Sequence, residues 1–474
     1  MFAPRRISSA RILLVLIAGL LLAAPAPQAQ PRPVGSANHV VVVISLDGFG
    51  GWALDDPYLP VPTLRRLAAA GAVAKGMRPV DPTVTWANHT SMVTGVPAAR
   101  HGVIFNGLLI REAGVPPRVE PWRDKSELVH ARTLYDAARE RGLTTAQVDW
   151  VAIQNAPTIT WEFPERPDPK GVIAQETVKA GILSQADLET FQTKNILWRD
   201  HIWTQAAAHI LRQHRPNLLL FHLLNLDSTQ HRYGPRTPAA MDAMAHLDSQ
   251  VATIVTTIEK GGLLASTTLF VVSDHGFKTV KRQIRPNVVF AKAGLITVDS
   301  GKITGARVYS VHEVGTALVY VTVPDSSGSL LKQAANALNG LEGIASVIEA
   351  PEFEKYGLPQ PTATGQMGAL LLTAKEGYAF TGDTGDQPVI DAPPGSLGSH
   401  GYLASDPDLQ ALFIASGRGI KRGVKLDAVS NLDLAPTIAR LLNLQMPDVQ
   451  GRVLNEILSA PVSAPEAKAK TPPR

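Results

Sequence analysis

The sequence contains no cysteine among its 474 residues. No disulfide can therefore stabilise the fold, and a zinc site would have to use histidine and carboxylate ligands. The chain also lacks a large net charge, because 45 Lys and Arg oppose 41 Asp and Glu and leave only +4. That balance, together with the absence of a dense basic run, argues against a nucleic-acid duplex as partner.

Long apolar runs are scarce as well. One such run, Ile12–Ala24, follows Arg5 and Arg6 and precedes small residues that end at Ala29. This pattern is typical of an export signal, which we assign to residues 1–29. The run is short for a membrane span, although an uncleaved anchor remains an alternative. We expect a mature protein without a membrane span, located in a bacterial periplasm or secreted.

The apolar residues, 45% of the chain, form short runs that alternate with helix-compatible segments. Continuous β-branched runs predict strands buried on both faces, as in parallel sheets covered by helices. The sequence therefore predicts an α/β fold with a mostly parallel central sheet flanked by helices. The predicted strands include His39–Leu46, Thr144–Val151, Pro216–Leu224, Thr267–Ser273 and Ala411–Ala415.

We expect one catalytic domain over residues 38–458. Segments near 108–195 and 280–395 are interpreted as insertions that form a smaller lobe. The tail, residues 460–474, is rich in Pro, Ala and Lys, a composition typical of disorder.

Polar side chains follow the ends of three predicted strands. Asp47, Asp227 and the pair Asp274–His275 each come at or just after the carboxyl end of an apolar run. Because such ends lie along one edge of a parallel sheet, we expect these residues to converge. His231 lies four residues after Asp227 and would share its face in a helical turn.

Converging carboxylates repel one another strongly, and divalent cations would remove that cost. Together with His231, His275 and His400, which lies in a glycine-rich loop, the three aspartates form a set of Asp and His ligands suited to zinc. A pair of cations would suit phosphoryl transfer, because it stabilises both the attacking and the leaving oxygen. Asp47 taken alone is equally well explained as a turn residue before glycine.

Thr85 is the candidate nucleophile. It precedes a helix-compatible run, Asn88–Val93, whose entrance offers unpaired N–H groups and the positive end of a helix dipole to an alkoxide or a phosphoryl group. A threonine hydroxyl alone is too weak a nucleophile at neutral pH, so it needs a base or a metal. An isolated threonine here is more often a helix cap. Asn106 is a candidate donor to a phosphoryl oxygen, with a turn asparagine as the simpler account.

Six segments together resemble the alkaline phosphatase superfamily, most closely its nucleotide pyrophosphatase/phosphodiesterase branch. They are SLDGF, TVTWANHTSMVTG, HGVIFNG, LDSTQHRYGP, SDHGF and GSHGY, in the family's order. The resemblance implies an alkaline-phosphatase-like sandwich with two zinc ions. It implies the following ligands and contacts: Asp227, His231 and His400 for one zinc, Asp47, Asp274 and His275 for the other, Thr85 as the bridging nucleophile, and Asn106 on a nonbridging phosphoryl oxygen.

The implied activity is hydrolysis of phosphate diesters through a phospho-threonine intermediate. The sulfatase branch is disfavoured, because it uses an oxidised Cys or Ser where this chain has Thr85. The expected partner is a small-molecule phosphate ester, with nucleotides among the candidates. In the phosphodiesterase branch an aromatic residue at the place of Trp86 helps to stack a nucleobase, although packing is an equally good account of Trp86. His222 stands roughly where a second aromatic residue is expected.

Other functions stay open. A phosphomonoesterase or phosphonate hydrolase on the same scaffold would need extra basic groups; no clear Lys-x-Arg motif precedes Asp227, but Arg166 and Lys170 are candidates. A secreted, enzymatically inactive binding protein is the third hypothesis, against which the intact nucleophile and ligand set argue. Manganese or iron could replace zinc, and the sequence makes no prediction of the oligomeric state. The remaining histidines are interpreted as surface or packing residues: His89, His101, His130, His201, His209, His214, His246 and His312.

Overall fold

The computed structural model describes residues 38–459, so the predicted export signal and the predicted disordered tail lie outside the described residues. Numbered along the chain, the strands are β1 (Val40–Leu46), β2 (Ala72–Arg78), β3 (Leu108–Ile110), β4 (Arg118–Glu120), β5 (Thr145–Val148), β6 (Trp161–Phe163), β7 (Leu218–Leu223), β8 (Thr267–Val272), β9 (Lys278–Thr279), β10 (Arg282–Ile284), β11 (Ile296–Asp299), β12 (Lys302–Ala306), β13 (Val308–Glu313), β14 (Thr316–Val321), β15 (Ile344–Glu349), β16 (Leu370–Ala374), β17 (Tyr378–Phe380), β18 (Val389–Asp391), β19 (Gly398–Ser399), β20 (Phe413–Gly417) and β21 (Val424–Ser430).

The α-helices are α1 (Pro62–Ala70), α2 (Thr85–Thr94), α3 (Ala98–His101), α4 (Lys125–Leu128), α5 (Leu134–Glu140), α6 (Val172–Lys179), α7 (Gln185–Glu189), α8 (Ile196–Gln213), α9 (Asn225–Tyr233), α10 (Pro238–Lys260), α11 (Pro286–Lys292), α12 (Ser329–Leu338), α13 (Pro361–Thr364) and α14 (Leu434–Leu442). In the part of the chain from residue 38 to residue 459, none of the helices combines the length and the apolarity that a membrane crossing requires.

Eight strands form the central sheet, in the order β21-β2-β20-β8-β1-β7-β5-β6. Neighbouring strands are parallel, except that β20 runs antiparallel to both β8 and β2. The predicted mostly parallel sheet is therefore confirmed. Ser45 pairs with Val272 and Leu46 with Leu223, so the residues that follow β1, β7 and β8 emerge side by side. We call this side of the sheet the carboxyl edge and the opposite side the amino edge.

Both faces of the sheet are covered, as the apolar runs predict. Along β1, Val42 and Ile44 pack in one core with helices α8 and α10, whereas Val41 and Val43 pack in the opposite core with α2, α5 and α14. All four side chains are fully buried. Burial of each such side chain is worth about 1.5–3 kcal/mol, so β1 anchors the sandwich and fixes the position of the residue that follows it.

A smaller lobe is built around the sheet β13-β14-β16-β15. One face of β14 presents Val319 to a core shared with α11 and α12, and the other presents Leu318 to a cluster that contains Ile104 and Phe105. The chain returns from the lobe through β19, which pairs with β9 directly after β8. This pairing brings the glycine-rich loop back to the carboxyl edge.

Candidate active site and metal centre

Side chains that are far apart in sequence meet at the carboxyl edge. Asp47 follows β1, the pair Asp274–His275 comes just after β8, and Asp227 lies on α9, which begins two residues after β7. His231 is one turn further along α9, and His400 directly follows β19. The structure thus brings together all six of the Asp and His side chains predicted as metal ligands.

The donor atoms form two overlapping groups. Asp227, His231 and His400 make one, and Asp47, Asp227 and His275 make the other; within each group all donor atoms lie within 4.8 Å of one another. The first group equals one predicted zinc trio. In the second, Asp227 stands where Asp274 was expected, although Asp274 Oδ2 lies only 3.1 Å from His275 Nε2. Asp227 therefore links the two groups.

Backbone carbonyls orient the three imidazoles. His231 Nδ1 lies 3.1 Å from Gly398 O, His400 Nδ1 lies 2.9 Å from Thr83 O, and His275 Nδ1 lies 3.2 Å from Gly276 O. A carbonyl oxygen only accepts, so Nδ1 carries the proton in each ring. The lone pair on Nε2 then faces the cluster, as in protein metal sites where a ligating histidine donates its other N–H.

Among residues 38–459, four buried donor atoms of the cluster have no hydrogen-bond partner: Asp47 Oδ1, Asp227 Oδ1, Asp274 Oδ2 and His275 Nε2. Burial, followed by the charges of Asp274 and Asp227, raises the pKa of Asp47 well above its usual value. Burial also raises the pKa of Asp227 to about 6. Burial lowers the pKa of His275 and of His400 well below the usual value, which keeps both rings neutral. Unsatisfied carboxylate oxygens beside neutral imidazoles fit bound divalent cations, which would relieve the desolvation and the repulsion.

Thr85 is the first residue of α2, three residues earlier than the predicted helical run begins. The N-cap position belongs to Val84, so Thr85 is not a helix-capping threonine. Its carbonyl accepts a hydrogen bond from His89 Nδ1 at 2.8 Å, and the same nitrogen lies 3.6 Å from Asp274 Oδ2. With Thr83 O bonded to His400, the start of α2 is tied to both sides of the cluster.

Asn106 is exposed and contacts the same helix end. Its Oδ1 accepts the N–H of Trp86 at 3.0 Å. One of the N–H groups that we expected to be unpaired at the helix entrance is therefore already bonded. Since Oδ1 is engaged in this way, the side-chain NH₂ is the end of Asn106 that can donate to a ligand.

Trp86 is only 8% exposed, and its ring packs in a cluster with Val103, Leu128 and Val151. This burial favours the packing account of Trp86. Its neighbour Trp122 is less buried and meets it edge to face, with ring centroids 6.3 Å apart. The guanidinium carbon of Arg166 lies 4.1 Å from the centre of the Trp122 ring.

His222 has a position that sequence reasoning missed. The residue is fully buried on β7, with Nε2 3.0 Å from Asp47 Oδ2 and Nδ1 3.1 Å from Asp149 O. It therefore holds the carboxylate of Asp47 in place rather than offering a ring to a substrate. The only signal in the sequence was a histidine inside an otherwise apolar run. The strand register then pairs His222 with Ser45, two residues before Asp47.

A family model described as type I phosphodiesterase / nucleotide pyrophosphatase matches residues 41–403 of the chain. Ectonucleotide pyrophosphatase/phosphodiesterase family member 1 from Homo sapiens is 24% identical over 455 residues, which cover 92% of this chain and 43% of that protein. Family member 7 from Mus musculus is 23% identical over 415 residues, which cover 86% of this chain and 84% of that protein. The chain thus spans less than half of the first relative and most of the second.

The solved structure of murine ectonucleotide pyrophosphatase/phosphodiesterase 5 has the same fold. It superposes with a TM-score of 0.66 at 18% identity, and the match covers 89% of this chain and all of that one. An inactive form of the same murine protein in complex with AMP matches equally well. The predicted fold class is thereby confirmed.

Proposed function

The chain belongs to the type I phosphodiesterase / nucleotide pyrophosphatase family and is a hydrolase of phosphoric esters; we propose that it is an exported two-zinc phosphodiesterase that works through a phospho-threonine intermediate. One observation carries the proposal: four donor atoms from Asp47, Asp227, Asp274 and His275 converge without hydrogen-bond partners in the described residues. The start of α2, with Thr85, is tied to this cluster. That combination suits metal-assisted phosphoryl transfer.

When bound, zinc would polarise the phosphoryl group and lower the pKa of a coordinated hydroxyl. Asp227, His231 and His400 would hold one ion, and Asp47, Asp274 and His275 the other. The Thr85 hydroxyl gives up its proton as Oγ attacks phosphorus and the new P–O bond forms. The bond to the leaving oxygen breaks, and that oxygen takes up a proton and departs as the alcohol. Water then attacks phosphorus, the bond to Thr85 breaks, and the threonine hydroxyl is restored. The NH₂ of Asn106 donates to a nonbridging oxygen during both steps.

Thr85→Ala tests the nucleophile. We expect kcat/KM for bis-p-nitrophenyl phosphate to fall by roughly 10⁴-fold or more in zinc-reconstituted enzyme, because the covalent step is lost, while the zinc content stays at the wild-type value. Thr94→Ala, at the far end of the same helix, is the matched control and should keep wild-type activity. Equal rates for the wild type and Thr85→Ala would overturn the role of Thr85.

The ratio of diester to monoester turnover tests the substrate class. We expect the wild type to prefer bis-p-nitrophenyl phosphate over p-nitrophenyl phosphate. One observation favours the phosphomonoesterase alternative, namely the guanidinium of Arg166 stacked on Trp122 near the site. A preference for the monoester that disappears in Arg166→Gln would assign the protein to that alternative, whereas unchanged diester turnover in Arg166→Gln supports the diesterase.

Nucleotides are the proposed substrates, and Trp122 is the proposed stacking residue because Trp86 is largely buried. The murine relative in complex with AMP supports this choice. Stacking of a base on an aromatic side chain is worth about 1–3 kcal/mol. Trp122→Ala should therefore raise KM about tenfold for thymidine 5′-(p-nitrophenyl phosphate) and leave methyl p-nitrophenyl phosphate unaffected. An equal change for both esters would contradict a base-stacking role.

Export is the last part of the proposal. It rests on the basic start, the apolar run and the small residues of segment 1–29. The expected result is a protein in the periplasmic or secreted fraction whose amino terminus lies close to residue 30. A protein in the cytoplasmic fraction that starts at Met1 would contradict it.

A further inference from the structure

A second group of candidate ligands lies at the amino edge of the sheet. Glu176 is on α6, His209 is on α8 and His214 is the C-cap residue directly after α8. Their donor atoms all lie within 4.8 Å of one another. We call these three residues the amino-edge cluster. On sequence alone, both histidines are interpreted as surface or packing residues.

The two metal-ligand clusters occupy opposite ends of the sheet. His214 comes four residues before β7 begins, whereas Asp227 comes four residues after β7 ends. The strand between them has six residues, and a strand rises about 3.3 Å per residue. The clusters are therefore separated by roughly 20 Å or more, and the amino-edge cluster does not belong to the active site.

Both imidazoles of the cluster point at a single carboxylate oxygen. Glu176 Oε2 lies 2.9 Å from His209 Nε2 and 2.7 Å from His214 Nε2. Trp161, the first residue of β6, stacks on the His214 ring with centroids 4.7 Å apart and planes inclined by 28°. The donors therefore come from α6 and from the end of α8, and Trp161 of β6 holds the His214 ring in its orientation.

We propose that the amino-edge cluster binds one zinc-type divalent cation that joins α6 to α8 as a structural site. Two histidines and one carboxylate, with water in the fourth position, form a zinc ligand set that is known from catalytic sites, and here these donors join two helices away from the active site. The carboxylate of Glu176 is 32% exposed, so water can supply the fourth ligand. Donors around a tetrahedral zinc ion lie about 3.3 Å apart, so the two nitrogen–oxygen distances need to widen only by about half an ångström.

Without a cation, the charge state of Glu176 is set by its two histidine neighbours. Burial would raise its pKa, but hydrogen bonds from His214 and His209 outweigh burial and lower the pKa of the carboxyl group. The group is therefore a carboxylate at neutral pH. Each of these hydrogen bonds uses a proton on Nε2, so zinc binding replaces two N–H donors by two lone pairs. The competing account is a hydrogen-bonded cluster that holds protons and never a metal ion.

The role of such an ion follows from the position of α6. This helix packs against α8 and β6, and β6 is the last strand of the sheet, with β5 as its neighbour there. A cross-link between α6 and α8 would hold the segment around α6 against the body of the domain. Zinc should therefore raise the stability of this segment without changing catalysis.

The test uses the full-length enzyme, first chelated and then equilibrated with excess zinc and desalted. Zinc per chain is measured by mass spectrometry in the wild type, His209→Gln/His214→Gln and His201→Gln. His201 is an exposed histidine of the same helix and serves as the matched control. We expect the double variant to bind one zinc fewer than the other two proteins, with diester hydrolysis within twofold of wild type. Equal zinc content in all three overturns the proposal.

Glu176→Gln decides the matter if the double variant does not fold. The amide keeps the size of the side chain but is a poor zinc ligand. We expect at least tenfold weaker affinity for the last zinc ion bound, together with a smaller zinc-induced rise of the unfolding temperature. Unchanged affinity and an unchanged rise would identify the cluster as a proton-holding network only. Because each result is a difference from the wild type, it does not depend on the number of zinc ions in the active site.

Discussion

The carboxyl edge and the amino edge of one sheet carry two clusters of histidine and carboxylate that differ in how their donors are satisfied. At the carboxyl edge, donor atoms of Asp47, Asp227 and Asp274 are buried and lack hydrogen-bond partners in the described residues. At the amino edge, His209 and His214 hydrogen-bond to Glu176. The first cluster is costly without cations, whereas the donor atoms of the second are already satisfied by their own hydrogen bonds. Similar residue types thus give a centre that needs metal and a site that only gains from it.

Among the ligands of the two clusters, the largest effect should come from Asp227, since it belongs to both donor groups at the carboxyl edge. Asp227→Asn removes a charged ligand between the two proposed zinc ions, and we expect kcat/KM for diesters to fall roughly 10³-fold or more. Steady-state hydrolysis and zinc content measure the loss. Asp242→Asn, at an exposed position of α10, is the control. If Glu176→Gln impaired hydrolysis as strongly as Asp227→Asn, the contrast between the two edges would be wrong.

The next prediction is the order in which the two clusters of the chelated protein bind zinc. When zinc is added stepwise, activity should return before the last equivalent is bound, because the buried carboxylates of the carboxyl edge should bind a cation most tightly. Calorimetric titration gives the zinc bound at each step, and diester hydrolysis measured in parallel gives the activity recovered. Activity that returns only with the last equivalent would reverse the assigned order of affinities.

A smaller effect is expected from a change of His222, which contacts the proposed metal ligand Asp47. His222→Asn removes the ring that contacts Asp47 Oδ2, and changes of this kind typically reduce metal affinity or activity roughly 10–100-fold. His39→Gln is the control variant, because this buried histidine lies at the other end of β1, where its ring contacts Thr268 Oγ1 at 2.7 Å. That variant should lose thermal stability and keep its kcat/KM. Full activity and full zinc affinity in His222→Asn would show that Asp47 is positioned without it.

The smallest effect should come from Trp161→Leu, which removes the ring stacked on His214. Such a ring contact is worth about 0.5–1.5 kcal/mol, so zinc affinity at the amino-edge cluster should weaken roughly threefold. Hydrolysis should not change. A change in activity with unchanged zinc affinity would contradict the separation of the two edges.

The sequence allowed prediction of those features that depend on local pattern. The run that forms β1 predicted a buried strand, and the four-residue spacing of Asp227 and His231 predicted a shared helical face, which α9 provides. The convergence at the carboxyl edge followed from the parallel sheet, because its strand ends coincide. These inferences needed only periodicity and the geometry of parallel strands.

Other features could not be predicted, because they depend on which side chains meet in space. Glu176 and His214 lie 38 positions apart, and no spacing rule joins them before α6 is packed on α8. The contact of His222 with Asp47 depends on strand register, which the sequence does not display. The predicted start of α2 is three residues too late, since Thr85 and Trp86 carry weak helix propensities. The tertiary contact of Asn106 with the Trp86 N–H overrides them, together with the contact of His89 with Thr85 O inside the helix.

The pairing of β19 with β9 also determines when the enzyme is assembled during its synthesis. His400 reaches the carboxyl edge only after the smaller lobe has been traversed. A nascent chain therefore lacks the complete set of donors at the carboxyl edge until nearly all of the domain has emerged. All ligands of the amino-edge cluster, in contrast, have been synthesised once the chain reaches residue 214. On the proposed function, the catalytic metal would therefore be acquired late in biogenesis, and an exported chain would acquire it in the compartment where it works.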